Sequence, residues 1–280
     1  GLIVNPVAGM GGSVGLKGTD GELYKEALKL GADPVTPERT ASFLSHLEHT
    51  DKIVLLAAPA EMGADYVEGL GLDHEVVGEI GDETSAEDTK RIAREMVSQG
   101  AHLLIFVGGD GTARDIYDAV DAQIPVVAVP AGVKVYSGAF ALNPRAAAEL
   151  VDAFVEGSVG GAPPVTEQEV LDIDEEAFRE DRLEAKHYGI LLVPQAQRFL
   201  QHGKVASSGN PSVEEAKREI AALIVEEMDE GTLYLLGPGT TVRAITDAMG
   251  LPKTLLGVDA VYDGALVGED LNERAILELF

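Results

Sequence analysis

Short apolar runs alternate with helical stripes through the first half of the chain. Gly1–Val4, Lys52–Ala57, His102–Val107 and Pro125–Val129 are rich in Val, Ile and Leu. Such runs fit strands buried on both faces of a parallel sheet. His74–Val77 is a weaker strand. The clearest helix starts near Thr84 or Ser85 and carries Ile92, Ala93, Met96 and Val97 on one face. It stops before Gly100, a residue suited to a left-handed cap. This alternation predicts an α/β protein whose residues 1–156 form a doubly wound parallel-sheet, Rossmann-like domain.

The pattern breaks at residues 157–164, Gly-Ser-Val-Gly-Gly-Ala-Pro-Pro, which read as a linker. Residues 165–280 then predict a second, mixed α/β domain. Glu169–Ile173 and Tyr188–Val193 read as strands. A helix follows, opened by a Ser212/Glu215 capping box and striped by Ala216, Ile220, Leu223 and Ile224. Next come a strand at Leu233–Leu236, a Gly-rich turn, a helix ending at Gly250 and a strand near Leu255–Val258. Leu279 and Phe280 read as lying inside a helix, and the chain begins at Gly1 rather than Met. The natural termini are therefore expected to lie beyond both ends.

Composition narrows the function. The 280 residues contain 21 Lys and Arg against 48 Asp and Glu, a net charge of −27. Nucleic acid is bound by basic surfaces, so it is not an expected partner. A field of this size also repels anionic nucleotides, but in roughly 1 M salt the Debye length shrinks to about 3 Å. A salt-rich, halophilic cytosol is the expected setting; an ordinary acidic surface is the plainer alternative. There is no cysteine, hence no disulfide or thiolate chemistry. No apolar stretch is long enough to span a bilayer and no signal peptide is visible, so a cytoplasmic location without membrane attachment is expected.

The sharpest motif runs from His102 to Ile116, His-Leu-Leu-Ile-Phe-Val-Gly-Gly-Asp-Gly-Thr-Ala-Arg-Asp-Ile. An apolar strand enters Gly108, Gly109, Asp110, Gly111 and Thr112 and passes directly into a helix. Glycines let backbone approach a ligand, and a helix start offers unpaired N–H groups and a positive dipole end to phosphate. A carboxylate there opposes anion binding. It makes sense if Asp110 works on a hydroxyl proton or on a nucleotide's Mg²⁺. The alternative is a tight strand–helix turn with Asp110 as N-cap.

Gly-Gly-Asp-Gly-Thr after an apolar strand resembles the signature shared by NAD, diacylglycerol and sphingosine kinases. Asn5-Pro6-Val7-Ala8-Gly9 is similar to the Asn-Pro-x-x-Gly turn of that superfamily. Gly15–Gly21 with Lys17, Pro130-Ala131-Gly132-Val133-Lys134 and Gly237-Pro238-Gly239-Thr240-Thr241 narrow the resemblance to the ATP-NAD kinase family of the ATP-NAD/AcoX type. The resemblance runs through nearly the whole chain, although the family's Gly-rich C-terminal extension is missing. It implies transfer of a phosphoryl group from ATP or polyphosphate to the 2′-hydroxyl of NAD, with Mg²⁺ from solution and Asp110 as base. Expected nucleotide-binding residues are Asn5, Gly9, Lys17, Gly108, Gly109, Gly111, Thr112, Arg114, Gly132, Lys134, Gly237, Gly239, Thr240 and Thr241.

Laid without gaps on the first loop, Gly237 falls on Gly108, Gly239 on Asp110 and Thr241 on Thr112. That alignment suggests one reacting loop and one purely binding loop, unless all strand–Gly–helix junctions simply look alike. Lys17 and Lys134 offer point charges to phosphate or are solvated surface lysines. Arg114 reaches a phosphate or pairs with Asp118 at i,i+4. Residues 9–15 lack dinucleotide-binding spacing and an immediate helix, and Leu16-Lys17-Gly18 is no Walker motif. His46 and His49 read as a solvated helix face. The rivals to a NAD kinase are a kinase for another hydroxyl acceptor, such as a lipid or sugar alcohol, and an NAD- or ATP-binding regulatory module without turnover. Homo-oligomers are common among such enzymes, but the sequence carries no interface signal.

Overall fold

The computed structural model describes residues 1–14, 16, 22–132, 135–158, 164–173, 185–195, 211–254 and 257–279. Leu2, Ile3 and Val4 are wholly buried and form β1 (Leu2–Val4) at the middle of a sheet. There follow α1 (Met10–Ser13), α2 (Glu22–Lys29), α3 (Thr36–Ser45), β2 (Leu55–Ala57), α4 (Ala64–Val67) and β3 (His74–Val76). α5 (Ala86–Ser98), β4 (Leu104–Gly108), α6 (Asp110–Val120), β5 (Val126–Pro130) and α7 (Pro144–Ser158) complete this half. The described strands pair in the order β3-β2-β1-β4-β5, all parallel. Every residue of β4 and β5 is buried, which is why both read as unbroken apolar runs. The chain travels outward from β1 to β3, then returns to β4 on the other side of β1. That reversal makes the β1/β4 boundary a topological switch point.

Helix α5 follows its sequence closely. Ser85 and Asp88 form a capping box, Ile92, Ala93 and Met96 are buried, and Gly100 takes φ +89°. Other boundaries move. Lys52 belongs to a 3₁₀ turn, Thr50–Lys52, and Val54 is exposed, so β2 begins only at Leu55, where it meets His74 of β3. His102 stays exposed ahead of β4. Helix α7 continues through Gly157 and Ser158 into the expected linker, its last turn closed by the Ser158 hydroxyl donating to the Phe154 carbonyl at 2.8 Å.

β6 (Val165–Ile173) and β7 (Ala185–Pro194) form an antiparallel hairpin. Val170, Leu191 and Val193 insert into the core of the parallel sheet. The remaining elements are α8 (Pro211–Glu226), β8 (Leu233–Leu236), α9 (Thr240–Met249), β9 (Asp259–Tyr262), β10 (Ala265–Gly268) and α10 (Glu273–Leu277). Their strands make an antiparallel sheet in the order β10-β9-β8, so the second region is mixed α/β as expected. Gly250 caps α9 in the left-handed region.

Several second-half expectations change. α8 starts at Pro211, a residue suited to a first helical position because it lacks an N–H, so Ser212 lies inside the first turn and is not the N-cap. Its anticipated apolar stripe faces outward: Ile220, Leu223 and Ile224 are exposed while Ala221 is buried. The strand foreseen near Leu255–Val258 begins at Asp259; Leu255 and Leu256 lie outside the described residues. Ahead of β9, Lys253 Nζ donates to the carbonyls of Thr254 at 2.6 Å and Gly257 at 2.9 Å. α10 ends at Leu277 with Glu278 as its cap, so Leu279 follows the helix. No helix among the described residues is long and apolar enough to cross a membrane.

Candidate active site

The loops leaving β1, β4 and β5 meet at the C-terminal edge of the parallel sheet. The Asn5 N–H donates to the Val107 carbonyl at 2.9 Å, extending the β1–β4 pairing past Val4. The Asn5 side chain donates through Nδ2 to Thr112 Oγ1 at 2.9 Å and accepts the Val7 N–H at 3.2 Å. Thr112 is buried, so Asn5 and Thr112 lock the first loop to the start of α6. Gly9 takes φ +79°, and a Cβ there would press on the Ala131 carbonyl oxygen at 2.7 Å. The β1 loop therefore lies directly on the β5 loop, beside Gly132. Asn5, Gly9, Gly108–Thr112 and Gly132, scattered in sequence, share one place at the switch point.

The three glycines of the β4–α6 junction differ in what they require. A Cβ on Gly108 would collide with the Thr112 side chain. A Cβ on Gly109 would meet nothing within 4 Å, and one on Gly111 only Arg114 Nη2 at 3.6 Å. Gly109 has φ −117° and ψ −169°, a conformation open to any residue. Internal packing thus explains Gly108 and not Gly109. What the bare Gly109 leaves is open space beside the start of α6, where no side chain caps the first turn. N–H groups that have no intrahelical partner and the positive dipole end give this spot the character of a phosphate site.

Gly109, not Asp110, is the N-cap, which overturns the simple turn reading of Asp110. The Asp110 carboxylate faces the chain after β5. Its Oδ1 accepts from Ser137 Oγ at 2.6 Å, Ser137 N at 2.8 Å and Tyr136 N at 3.2 Å. Its Oδ2 accepts from Tyr136 N at 2.9 Å. Burial pushes the Asp110 carboxyl up, and the opposing donations from Ser137 and Tyr136 and the charge of Arg114 leave it above the usual carboxylate range. The Tyr136 hydroxyl is pushed up to about 12 by burial and by the Asp110 charge.

Arg114 lies one turn into α6, with its Cζ 6.0 Å from the centre of the Tyr188 ring on β7. Asp118, its foreseen partner, accepts the Tyr188 hydroxyl at 2.9 Å and pairs with Lys90 at 3.2 Å. Lys17 and Lys134 lie outside the described residues. Gly237 and Gly239 sit between β8 and α9, and Thr240 and Thr241 open α9, off a strand of the antiparallel sheet rather than a parallel switch point. Gly239 is the N-cap there, as Gly109 is in the first loop, so counting from helix starts shifts the gapless alignment by one residue. Thr241 is exposed where Thr112 is buried. His46 and His49 flank the end of α3 and the 3₁₀ turn rather than sharing a helix face; His49 Nε2 meets Glu156 at 2.9 Å. Residues 9–15 do include a helical turn, α1. Among the described residues no three acidic or histidine side chains gather to hold a metal.

Sequence reasoning missed Tyr136, Ser137 and Tyr188. Tyr136 and Ser137 follow the Pro130–Lys134 motif closely, and that proximity was the available signal.

The glycine contrast yields a paired expectation. Gly108→Ala forces the strand–helix junction apart and destabilises the fold by about 1–3 kcal/mol, the usual cost of overpacking. Gly109→Ala leaves thermal stability within roughly 0.5 kcal/mol, as for a surface change, yet weakens nucleotide binding. Melting curves and calorimetric titration with ATP, run side by side, check both.

The ATP-NAD kinase N-terminal domain model matches residues 1–159, more than half of the 280-residue chain. The match covers the parallel sheet, the Asn5 loop, the Asp110 loop and Ser137; the Gly237 loop lies beyond it. No curated protein and no solved structure matches the chain.

Proposed function

The chain belongs to the ATP-NAD kinase family, and from that premise we propose that it transfers a phosphoryl group from ATP or polyphosphate to the 2′-hydroxyl of NAD. The observation that carries this reading is a carboxylate held on the first turn of α6, beside an uncapped, open Gly loop at the switch point of the sheet. Phosphoryl transfer asks little covalent chemistry of a protein; positioning, charge neutralisation and one proton acceptor suffice.

In this mechanism phosphate oxygens take the N–H groups at the start of α6, approached across Gly109 and Gly111. Asp110 receives the proton of the 2′-hydroxyl as its oxygen bonds to the transferred phosphorus and the bond to the ADP oxygen breaks. Arg114, steadied against Tyr188, offsets negative charge at the mouth of the loop. Mg²⁺ would arrive with the nucleotide, held by phosphate oxygens and water rather than by Asp110, whose open oxygen takes the proton. When bound, it neutralises the donor phosphates. We assign Gly237–Thr241 a second backbone cradle, for the phosphates of whichever substrate the first loop does not hold. Small-molecule nucleotides are then the partners, in a cytoplasm whose salt screens the −27 charge.

Labelled γ-phosphate appearing in NADP would support the reaction. Label appearing only in another added alcohol would favour the related-kinase reading, and binding without turnover a regulatory module. Salt gives a further expectation. With a net charge of −27 opposing anionic substrates, kcat/KM rises as KCl is raised toward roughly 1 M, where the Debye length is about 3 Å. A kcat/KM that stays flat or falls as KCl is raised would contradict this reading of the charge.

A further inference from the structure

The β6–β7 hairpin lies beyond the matched family domain, yet it reaches back to the candidate base. The Gly138 N–H donates to the Glu169 carbonyl at 3.0 Å, and the Leu171 N–H donates to Ser137 Oγ at 3.0 Å. Ser137 is buried, away from bulk water. Because Ser137 Oγ already accepts from Leu171, its one hydrogen is free to point at Asp110 Oδ1, 2.6 Å away. The Leu171 N–H of β6 occupies one lone-pair direction of this hydroxyl, which favours the rotor position that aims its hydrogen at Asp110.

The two carboxylate oxygens are thereby made unequal. Oδ1 has three donors around it, from Ser137 Oγ, Ser137 N and Tyr136 N. Among the described residues Oδ2 has only the shared Tyr136 N–H. A carboxylate offers about four lone-pair sites over both oxygens, so Oδ1 is filled and Oδ2 keeps an open one.

We propose that Ser137, held by the Leu171 amide of β6, is a positioning residue that fixes Asp110 with Oδ1 closed and Oδ2 open as the oxygen that takes the substrate proton. This rests on the kinase reading above. It assigns to the hairpin a part in the reaction, as the element that orients the base. Asp110 and the backbone of the β5 loop alone would leave the carboxylate held by amides but without its strongest donor. A charge-assisted O–H···O⁻ bond at this length outweighs a neutral one.

The test compares wild type, Ser137→Ala and Ser137→Thr by the pH profile of kcat/KM for NADP formation. A parallel ¹³C NMR titration of carboxyl-labelled aspartates uses Asp110→Asn to assign the Asp110 signal. Ser137→Ala removes a donor that favours the ionised form, so both the acid limb and the Asp110 titration move to higher pH. At a fixed pH on that limb, kcat/KM falls about tenfold for each pH unit of displacement. KM for ATP and NAD stays within about twofold, since Ser137 touches neither nucleotide. Ser137→Thr keeps the hydroxyl and returns the profile toward wild type. An Asp110 titration that stays in place or moves down in folded Ser137→Ala overturns the proposal. So does an equal loss in the Ala and Thr variants, which would mark Ser137 as packing alone. A wild-type protein that makes no NADP refutes the kinase reading instead, while the titration still decides whether Ser137 controls Asp110.

Discussion

Asp110→Asn is expected to lower kcat for NADP formation by about 10²- to 10⁴-fold, the range that a positioned general base contributes. The affinity for ATP and NAD should change little, because the loop backbone rather than the carboxylate meets the phosphates. The substitution is close in shape but opposite in function at one atom. The asparagine oxygen can take the place of Oδ1 and accept from Ser137, whereas its NH₂ would then face the Tyr136 N–H that now donates to Oδ2 at 2.9 Å. A modest loss of stability, of about 1 kcal/mol, accompanies that donor–donor contact. Burial holds the Asp110 carboxyl above the ordinary range, so the acid limb of the wild-type profile lies above that of an exposed aspartate. The residual activity of Asp110→Asn should lack that limb. The sign for stability is the reverse. A raised folded value means that the contribution of the protonated group is full at acid pH and declines as the pH rises through that value. Steady-state kinetics across pH, with calorimetric binding of both nucleotides, check the prediction; a regulatory module would bind alike in both forms and turn over in neither.

Asp259→Asn carries the largest expected loss of stability, about 3–5 kcal/mol, the cost of breaking a buried ion pair by removing one charge. Asp259 and Lys253 meet at 3.0 Å, and neither side chain has any exposed surface. Asp259 also accepts from Thr254 N at 2.8 Å, Thr254 Oγ1 at 2.7 Å and Asp270 N at 2.8 Å. Gly257 is required here because a Cβ would run into the Asp270 carboxylate and Thr254 Oγ1. Burial alone would push the Asp259 carboxyl up, but the Asp270 amide, the Thr254 hydroxyl and the Lys253 ammonium outweigh it and hold it below the ordinary range. Its stabilisation is therefore present above the ordinary aspartate value of 3.8 and lost as the pH falls below that through the depressed folded value. Thermal unfolding of wild type and Asp259→Asn from neutral to strongly acid pH should show the gap close only at the acid end. The knot ties the end of α9 to β9, in the same unit as the Gly237–Thr241 loop, so second-loop binding should fall with it.

Local patterns carried the parallel sheet well. β4 and β5 are buried at every residue, so burial and sequence agree without tertiary help. The capping box of α5 and the left-handed Gly100 and Gly250 were legible for the same reason: each is settled within a few residues. The hairpin between β9 and β10 was also available, since Asp263 and Gly264 both take positive φ, as an Asp-Gly two-residue turn requires, between two apolar pairs. The apolar run at Leu255–Val258 is the stronger local signal and masks this turn. The stripe of α8 misled because Ile220, Leu223 and Ile224 share a helical face that does not turn inward. The Asp110 loop could be found from its glycines. Its partners could not, since Ser137 stands 27 residues away and Leu171 reaches it across 34. No local period encodes such a meeting, and Lys253 and Asp259 likewise read as surface charge until the fold buries them.

The most direct test of the central claim is NADP formation by the purified protein in high KCl with Mg²⁺ and NAD, supplied in parallel with ATP and with polyphosphate. The account predicts NADP that accumulates with time and enzyme, from at least one donor, and forms about 10²- to 10⁴-fold more slowly with Asp110→Asn. Undiminished NADP from Asp110→Asn would remove Asp110 from the chemistry. No NADP from either donor, with both nucleotides bound, would contradict the kinase reading of this chain.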